Sequence, residues 1–202
     1  MGRKLSKRRL EIQLSKLKIL EKPNLKLEQY PVSPEAASEL LHMAGFEHND
    51  LAGRVIDLGT GTGRLAIGAA LMGSEHVEGV DIDEAALELA RANAEKVRVK
   101  VEWIHLNIDS VKGDYDSVIM NPPYGTRTVH SDINFLRKAL NLAPTVYSIH
   151  KSSTREYLYK YAQRAGATIT ETRSLNMEIP HMFEFHRAKW RIVEVDIHRM
   201  KR

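Results

Sequence analysis

The spacing of apolar positions changes along the chain. Leu10, Leu14 and Leu17 fall at i, i+4 and i+7, so they share one face of a helix predicted over residues 3–21. Pro23 ends that helix or follows its end. Residues 25–34 contain Pro31 and Pro34 and read as an extended connector. Ser33 and Pro34 then suit the cap and first residue of a second helix. From Arg54 onward, short apolar runs alternate with helical spacing. Strands are predicted over 55–58, 76–82, 100–105 and 117–120, and strand-like runs over 145–149, 168–172 and 190–198. Helices are predicted over 65–72, 84–96, 133–142 and 154–165, with Asp83 capping the second of these. Alternation of this kind implies a parallel sheet covered on both faces. The last two strands lack a long helix between them, which fits an antiparallel hairpin at the sheet end. The expectation is one α/β domain over 34–202 with a basic helical extension over 1–33.

Composition narrows the function classes. The 202 residues include no cysteine, which excludes disulfides, thiolate metal sites and a cysteine nucleophile within this chain. No 18-residue apolar run or apolar leader is present, so a cytoplasmic protein without a membrane span is expected. Absent cysteine and only three glutamines also fit a heat-adapted source. The net charge of +4 is unevenly spread: +6 over 1–30, −7 over 31–149 and +5 over 150–202. Basic ends around an acidic middle suit a polyanion such as RNA, or equally a solvated helix face and tail. Gly2 to Ser6 fits a short acylation pattern, but a basic helix start explains the same residues.

Asp57-Leu58-Gly59-Thr60-Gly61-Thr62-Gly63 follows a strand and opens a helix, where glycines permit a tight turn and close ligand approach. No Lys follows in the manner of a phosphate loop, and the spacing departs from the dinucleotide pattern. Asp81 lies at the end of the next strand, about twenty residues on, where a carboxylate can accept from both ribose hydroxyls. Together these residues point to a nucleoside cofactor. Asn121-Pro122-Pro123-Tyr124 follows a further strand at the ligand-binding edge of such a sheet. Two prolines fix the turn and remove two N–H donors. The Asn121 side-chain oxygen and the Pro122 carbonyl are then acceptors, and Tyr124 offers an aromatic face. That set suits a planar group with an amine, held for attack on an electrophilic methyl.

These motifs resemble those of S-adenosylmethionine-dependent methyltransferases that modify exocyclic or amide nitrogens. Residues 27–31, 81–83, 120–126 and 150–156, with Phe185-His186 before the last strand, more specifically resemble the methyltransferase-like protein 5 family. The likeness runs through nearly the whole chain. It implies a seven-stranded, Rossmann-like class I methyltransferase sheet with a reversed final strand, with 1–33 partly covering the cofactor. It implies S-adenosylmethionine as cofactor and the N6 amine of an adenine in small-subunit ribosomal RNA as target. Cofactor contacts are expected from Gln29, Val32, Asp57, Gly59, Gly61, Thr62, Arg64, Asp81, Ile82, Asn107, Ile108 and Asn121, and catalysis from Asn121, Pro122, Pro123 and Tyr124. The chain departs from the family pattern at Thr60 and Thr62, where cysteines are common, and at Asn107, where an acid is common and Asp109 lies close. The resemblance also implies, in eukaryotes, a small zinc-binding activator subunit that adds a strand to the sheet edge.

Lys151 and Arg155 are candidates for phosphate contact, or for surface solvation. Phe185 and His186 lie in a loop predicted over 177–189 and are candidates for contact with the target RNA. Phe183 is read as packing on the sheet, Ser152 and Ser153 as helix caps, and His150 and His186 as neither part of a metal site. Two other functions compete with RNA methylation. A protein-glutamine N5-methyltransferase needs the same acceptors at 121 and 122. A non-catalytic ribosome-assembly factor would be free to lose Asp81 and Asn121, yet both are present.

Overall fold

The computed structural model describes residues 5–24, 27–124, 131–180 and 190–202. Seven strands form one sheet: β1 (Arg54–Leu58), β2 (His76–Asp81), β3 (Glu102–His105), β4 (Ser117–Met120), β5 (Thr145–Lys151), β6 (Thr168–Pro180) and β7 (Trp190–Lys201). Their order is β3-β2-β1-β4-β5-β7-β6. β7 runs antiparallel to both β5 and β6, and the β1–β5 ladders are parallel. This is the expected class I methyltransferase sheet with its reversed last strand. The strand order changes direction at β1 and β4. Loops leaving their carboxyl ends diverge there and open a crevice.

Helices α1 (Lys7–Ser15), α2 (Pro34–His42), α3 (Arg64–Leu71) and α4 (Glu84–Val97) cover one face. Leu10, Leu14, Leu40, Leu41 and Ile67 pack there against Tyr147, Ile149 and Ile197. Helices α5 (Ser131–Leu142) and α6 (Arg155–Arg164) cover the other, with Leu136, Leu140 and Leu158 against Val146 and Met200. Each buried Leu or Ile contributes about 1.5–3 kcal/mol by leaving water. Strands buried on both faces explain the near-continuous apolar runs of β1 and β4.

Several local expectations are refined. Ser33 Oγ accepts from the Ala36 N–H at 3.1 Å with Pro34 at the first position, and Asp83 Oδ1 accepts from the Ala85 N–H at 3.0 Å. Helix α1 stops at Ser15 rather than near residue 21. The chain beyond it is captured by Asn93 on α4, whose amide oxygen accepts from the Lys18 N–H and whose amide nitrogen donates to the Lys18 carbonyl. That tertiary pair replaces helical hydrogen bonds, while Leu17 is buried all the same. Strand β6 runs to Pro180, well past 172, because it finds a full antiparallel ladder on β7. Residues 177–180 are therefore strand, not loop. Ser152 caps nothing; its hydroxyl donates to the buried Asp196 carboxylate at 2.8 Å. Among the described residues, no cluster of three metal-ligating side chains occurs, and no helix is long and apolar enough to cross a membrane.

Candidate functional site

The loop from β1 into α3 is shaped by Asp57. Its Oδ2 accepts from the Thr60 hydroxyl at 2.6 Å and from the Ala66 N–H at 3.0 Å, in the first turn of α3. The N–H groups of Gly59 and Thr60 both donate to the Val80 carbonyl at 2.9 Å, tying the loop to β2. Gly61 has φ 53, and a Cβ there would meet nothing within 4 Å, so its backbone faces open cavity. Gly63, with φ 85, answers to packing instead: a Cβ would stand 2.6 Å from the Trp103 ring. Asp57 Oδ1 is buried without a partner among the described residues. Burial pushes this carboxyl up to about 7, against the hydrogen bonds from Thr60 and Ala66 that favour its ionised form.

Asp81 ends β2 and is nearly buried. Its Oδ2 accepts from the Gly61 N–H at 2.7 Å and its Oδ1 from the Asp83 N–H at 3.0 Å. Burial raises its pKa above the ordinary carboxylate value, opposed by those backbone donors. Both oxygens keep lone pairs for hydroxyl donors. Beyond β3, the Asn107 side-chain oxygen accepts from the Asp109 N–H at 2.9 Å. The Asn107 amide nitrogen is thereby left as the group suited to an adenine edge. Asn107 and Ile108 line the cavity.

The segment 27–32 closes the crevice from above. Glu28 takes a left-handed φ of 49 and is buried. A left-handed residue bearing a side chain costs about 1–3 kcal/mol and persists only when its surroundings fix it. Here they do. The Gln29 amide donates to Asp83 Oδ2 at 2.6 Å and its oxygen accepts from the Asn24 N–H at 2.7 Å. The Arg64 guanidinium, pulled down to about 10 by burial, donates to the Val32 carbonyl. Asn121 Nδ2 donates to the Tyr30 carbonyl at 3.2 Å.

Asn121 follows β4 with its turn half-buried and Pro122 buried. The Tyr124 hydroxyl makes a long 3.4 Å contact to Asn121 Oδ1. The rings of Tyr30 and Tyr124 stack with centroids 6.2 Å apart and planes 18° from parallel. The Lys151 ammonium, at the end of β5, lies 5.2 Å from the Tyr124 ring centroid.

A cavity of about 380 Å³ gathers these parts. All twelve residues named for the cofactor line it, from Gln29 to Asn121, together with Pro123 of the catalytic four. Leu20, Leu27, Glu28, Thr60, Ser131 and Phe135 also line it and were not among the cofactor contacts expected from the sequence. Leu20 and Phe135 lie outside the motifs, whereas Leu27 and Glu28 belong to the family-like segment 27–31. Arg155 is turned elsewhere: its guanidinium donates to both Asp196 oxygens at 2.6 and 2.7 Å. Phe185 and His186 lie outside the described residues, as do His181, Phe183 and Arg187.

A cavity with one acid at a strand end, a second buried with one oxygen unpartnered among the described residues, and an Asn-Pro-Pro-Tyr turn suits a nucleoside cofactor beside an amine. The family model for the methyltransferase small domain matches residues 33–146. The Drosophila melanogaster protein named rRNA N(6)-adenosine-methyltransferase Mettl5 is 35% identical over 98% of this chain and 97% of its own. This chain belongs to the methyltransferase-like protein 5 family. An uncharacterised Methanocaldococcus jannaschii protein is 35% identical over 96% of this chain and 92% of its own length. A crystal structure from Pyrococcus horikoshii, of a protein assigned as an RNA methyltransferase, superposes with a TM-score of 0.90 at 38% identity, covering 100% of this chain and 98% of that one.

The cofactor of this methyltransferase family is S-adenosylmethionine, and the cavity fits it. Asp81 suits the ribose hydroxyls. The unpartnered Asp57 oxygen suits the ammonium of the amino-acid end, because an ionised carboxylate buried there needs a cation. Gly61 leaves room for close approach. Ile82 and Ile108 supply apolar lining beside Asn107 for the adenine.

Proposed function

We propose that this chain methylates the N6 amine of an adenine in small-subunit ribosomal RNA. The observation that carries the reading is the Asn121 amide, which shares the cofactor cavity and has its nitrogen committed to the Tyr30 carbonyl. Its oxygen takes the Tyr124 hydroxyl at a long 3.4 Å and keeps a second lone pair for an incoming amine. The cofactor, when bound, supplies an electrophilic methyl on a sulfonium. Asn121 Oδ1 and the Pro122 carbonyl accept the two amine hydrogens, which draws the nitrogen lone pair out of conjugation with the ring. Tyr124 stacks on the base, which is flipped or already unpaired. A bound cofactor would give up its methyl to the nitrogen and leave as the thioether, and the displaced amine proton would pass to water. Catalysis is then positioning and electrostatics, with no strong base.

Likeness to rRNA adenosine methyltransferases over almost the full length supports RNA over a protein glutamine, since it extends beyond the shared methyltransferase domain at both ends. The basic ends and Lys151 beside Tyr124 support a polyanion. We place the work in the cytoplasm. An activator subunit belongs to the same reading. Among the described strands, β3 and β6 each pair on one side only, so either offers an edge for an added strand. Full activity of the chain purified alone would remove the need for that partner.

The deciding test supplies labelled S-adenosylmethionine with unmodified small-subunit RNA and, separately, with a protein extract. Label recovered as N6-methyladenosine, and lost in Asn121→Ala, is the expected result. Label confined to protein replaces the adenine reading with glutamine methylation.

A further inference from the structure

The sequence places Asn at 121, although Asp would accept from an amine equally well. The structure gives a reason that lies outside the tetrad. The atom facing the Tyr30 carbonyl must be a donor, because two acceptors at 3.2 Å repel. An amide donates to Tyr30 through one atom and still presents an oxygen through the other, which an ionised carboxylate does not. The carbonyl itself is not free to turn away. It sits between Gln29, fixed to Asp83, and Val32, fixed to Arg64. The Tyr30 N–H donates to the Glu28 carbonyl at 2.7 Å, and Glu28 holds the left-handed turn that sets the direction of the chain. Asp83 in turn donates its backbone N–H to Asp81. One hydrogen-bonded path thus runs from the cofactor acid through the covering segment to the amide that meets the amine.

We propose that Tyr30 is a positioning residue, whose main-chain carbonyl selects Asn over Asp at 121 and turns the amide oxygen toward the target nitrogen. The proposal rests on the amine-methylation reading above and goes beyond it. It makes the covering segment a part of substrate recognition rather than only a wall of the cofactor cavity. Loss of the segment's position and loss of the acceptor become one event, so an amine is held correctly only while residues 27–32 are in place.

The experiment compares Asn121→Asp with wild type across pH 5–8.5, with S-adenosylhomocysteine binding as the check that the variant is folded. At pH 8 the new carboxylate faces the Tyr30 carbonyl with no proton to share, and kcat falls on the order of 100-fold while KM for RNA moves much less. As pH falls toward the carboxyl pKa, the protonated form donates to Tyr30 and restores the arrangement. The ratio of variant to wild-type kcat therefore rises, by about tenfold per unit of pH while the carboxyl is mostly ionised. Backbone amide exchange over residues 27–32 speeds up in the variant at pH 8 and slows again on acidification. Wild-type kcat in Asn121→Asp, a flat ratio with pH, or unchanged exchange at 27–32 would overturn the proposal. If the label goes to protein glutamine, the adenine reading fails, and the same kcat ratio on that substrate still decides the role of Tyr30. If wild type turns over neither substrate, amide exchange decides it alone.

Discussion

Asn121 is joined to residues 27–32 through its nitrogen, and in the proposed reaction its oxygen receives the target amine. Asn121→Ala is expected to lower turnover on the order of 100-fold or more, as when one fixed hydrogen-bonding group is taken from a transition state. Asp57, Asp81 and the Arg64 hold on Val32 remain, so cofactor affinity changes far less. Single-turnover rates set beside calorimetric Kd values check this, and equal losses in both would contradict it. Asp57 gives a pH dependence whose sign follows from its environment. Burial pushes its carboxyl up to about 7, so below that pH it holds a proton. Binding the cofactor's ammonium requires the ionised form, and a proton must be released on binding wherever the group is protonated. Cofactor affinity is therefore expected to rise as pH climbs through about 7 and to level off above it. In Asp57→Asn the affinity is lower and that rise disappears. Calorimetry at pH 6 and pH 8 measures both.

Among the elements, α4 has a second task besides covering the sheet. Asn93, buried on its inner side, binds Lys18 twice and donates to the Thr62 carbonyl at 3.0 Å. One side chain thus joins the N-terminal segment to the glycine loop. Asn93→Ala is expected to cost about 1–3 kcal/mol, the range for leaving buried backbone groups unpaired. Because both joined segments lead into the cavity, weaker cofactor binding accompanies the loss. Urea unfolding and cofactor titration read the two effects, and lost stability with unchanged affinity would show that the tie serves folding alone. The same contacts explain where periodicity misled. The Leu10, Leu14, Leu17 stripe marked a buried face correctly, but Asn93 stops the helix early and no local signal in 16–22 announces it. Strand β6 outran its apolar pattern because its ladder with β7 supplies the hydrogen bonds that an exposed, polar sequence does not predict.

For the whole molecule, the charge pattern sets how a polyanion approaches. The basic ends flank an acidic middle. Lys151 at the end of β5 brings a cation beside the tetrad, whereas Arg155 is spent on Asp196, which is itself lowered to about 2 with that guanidinium among the causes. RNA affinity should fall steeply with added salt. Lys151→Ala should reduce the slope of log K against log salt by about 0.7–0.9, the share of one phosphate contact, while Arg155→Ala shows mainly as lost stability. Filter binding across a salt series measures the slope, and an unchanged slope for Lys151→Ala would remove Lys151 from the RNA surface.

The alternation of strand and helix and the antiparallel pair at the sheet end were legible in the sequence alone, and so were Asp57, Asp81 and Asn121 as candidates for the chemistry. Those features are local: a run of buried side chains, a turn that needs glycine, a carboxylate at a strand end. Which residues meet depends on segments distant in the chain. Phe135, Leu20 and Ser131 line the cavity because distant segments converge at the crevice, and no motif marks them. Gly63 is present for Trp103, not for a ligand. Arg155 turns to Asp196, a carboxylate forty-one residues away. The orientation of the Asn121 amide was likewise beyond sequence reach, since a carbonyl ninety-one residues earlier in the chain sets it.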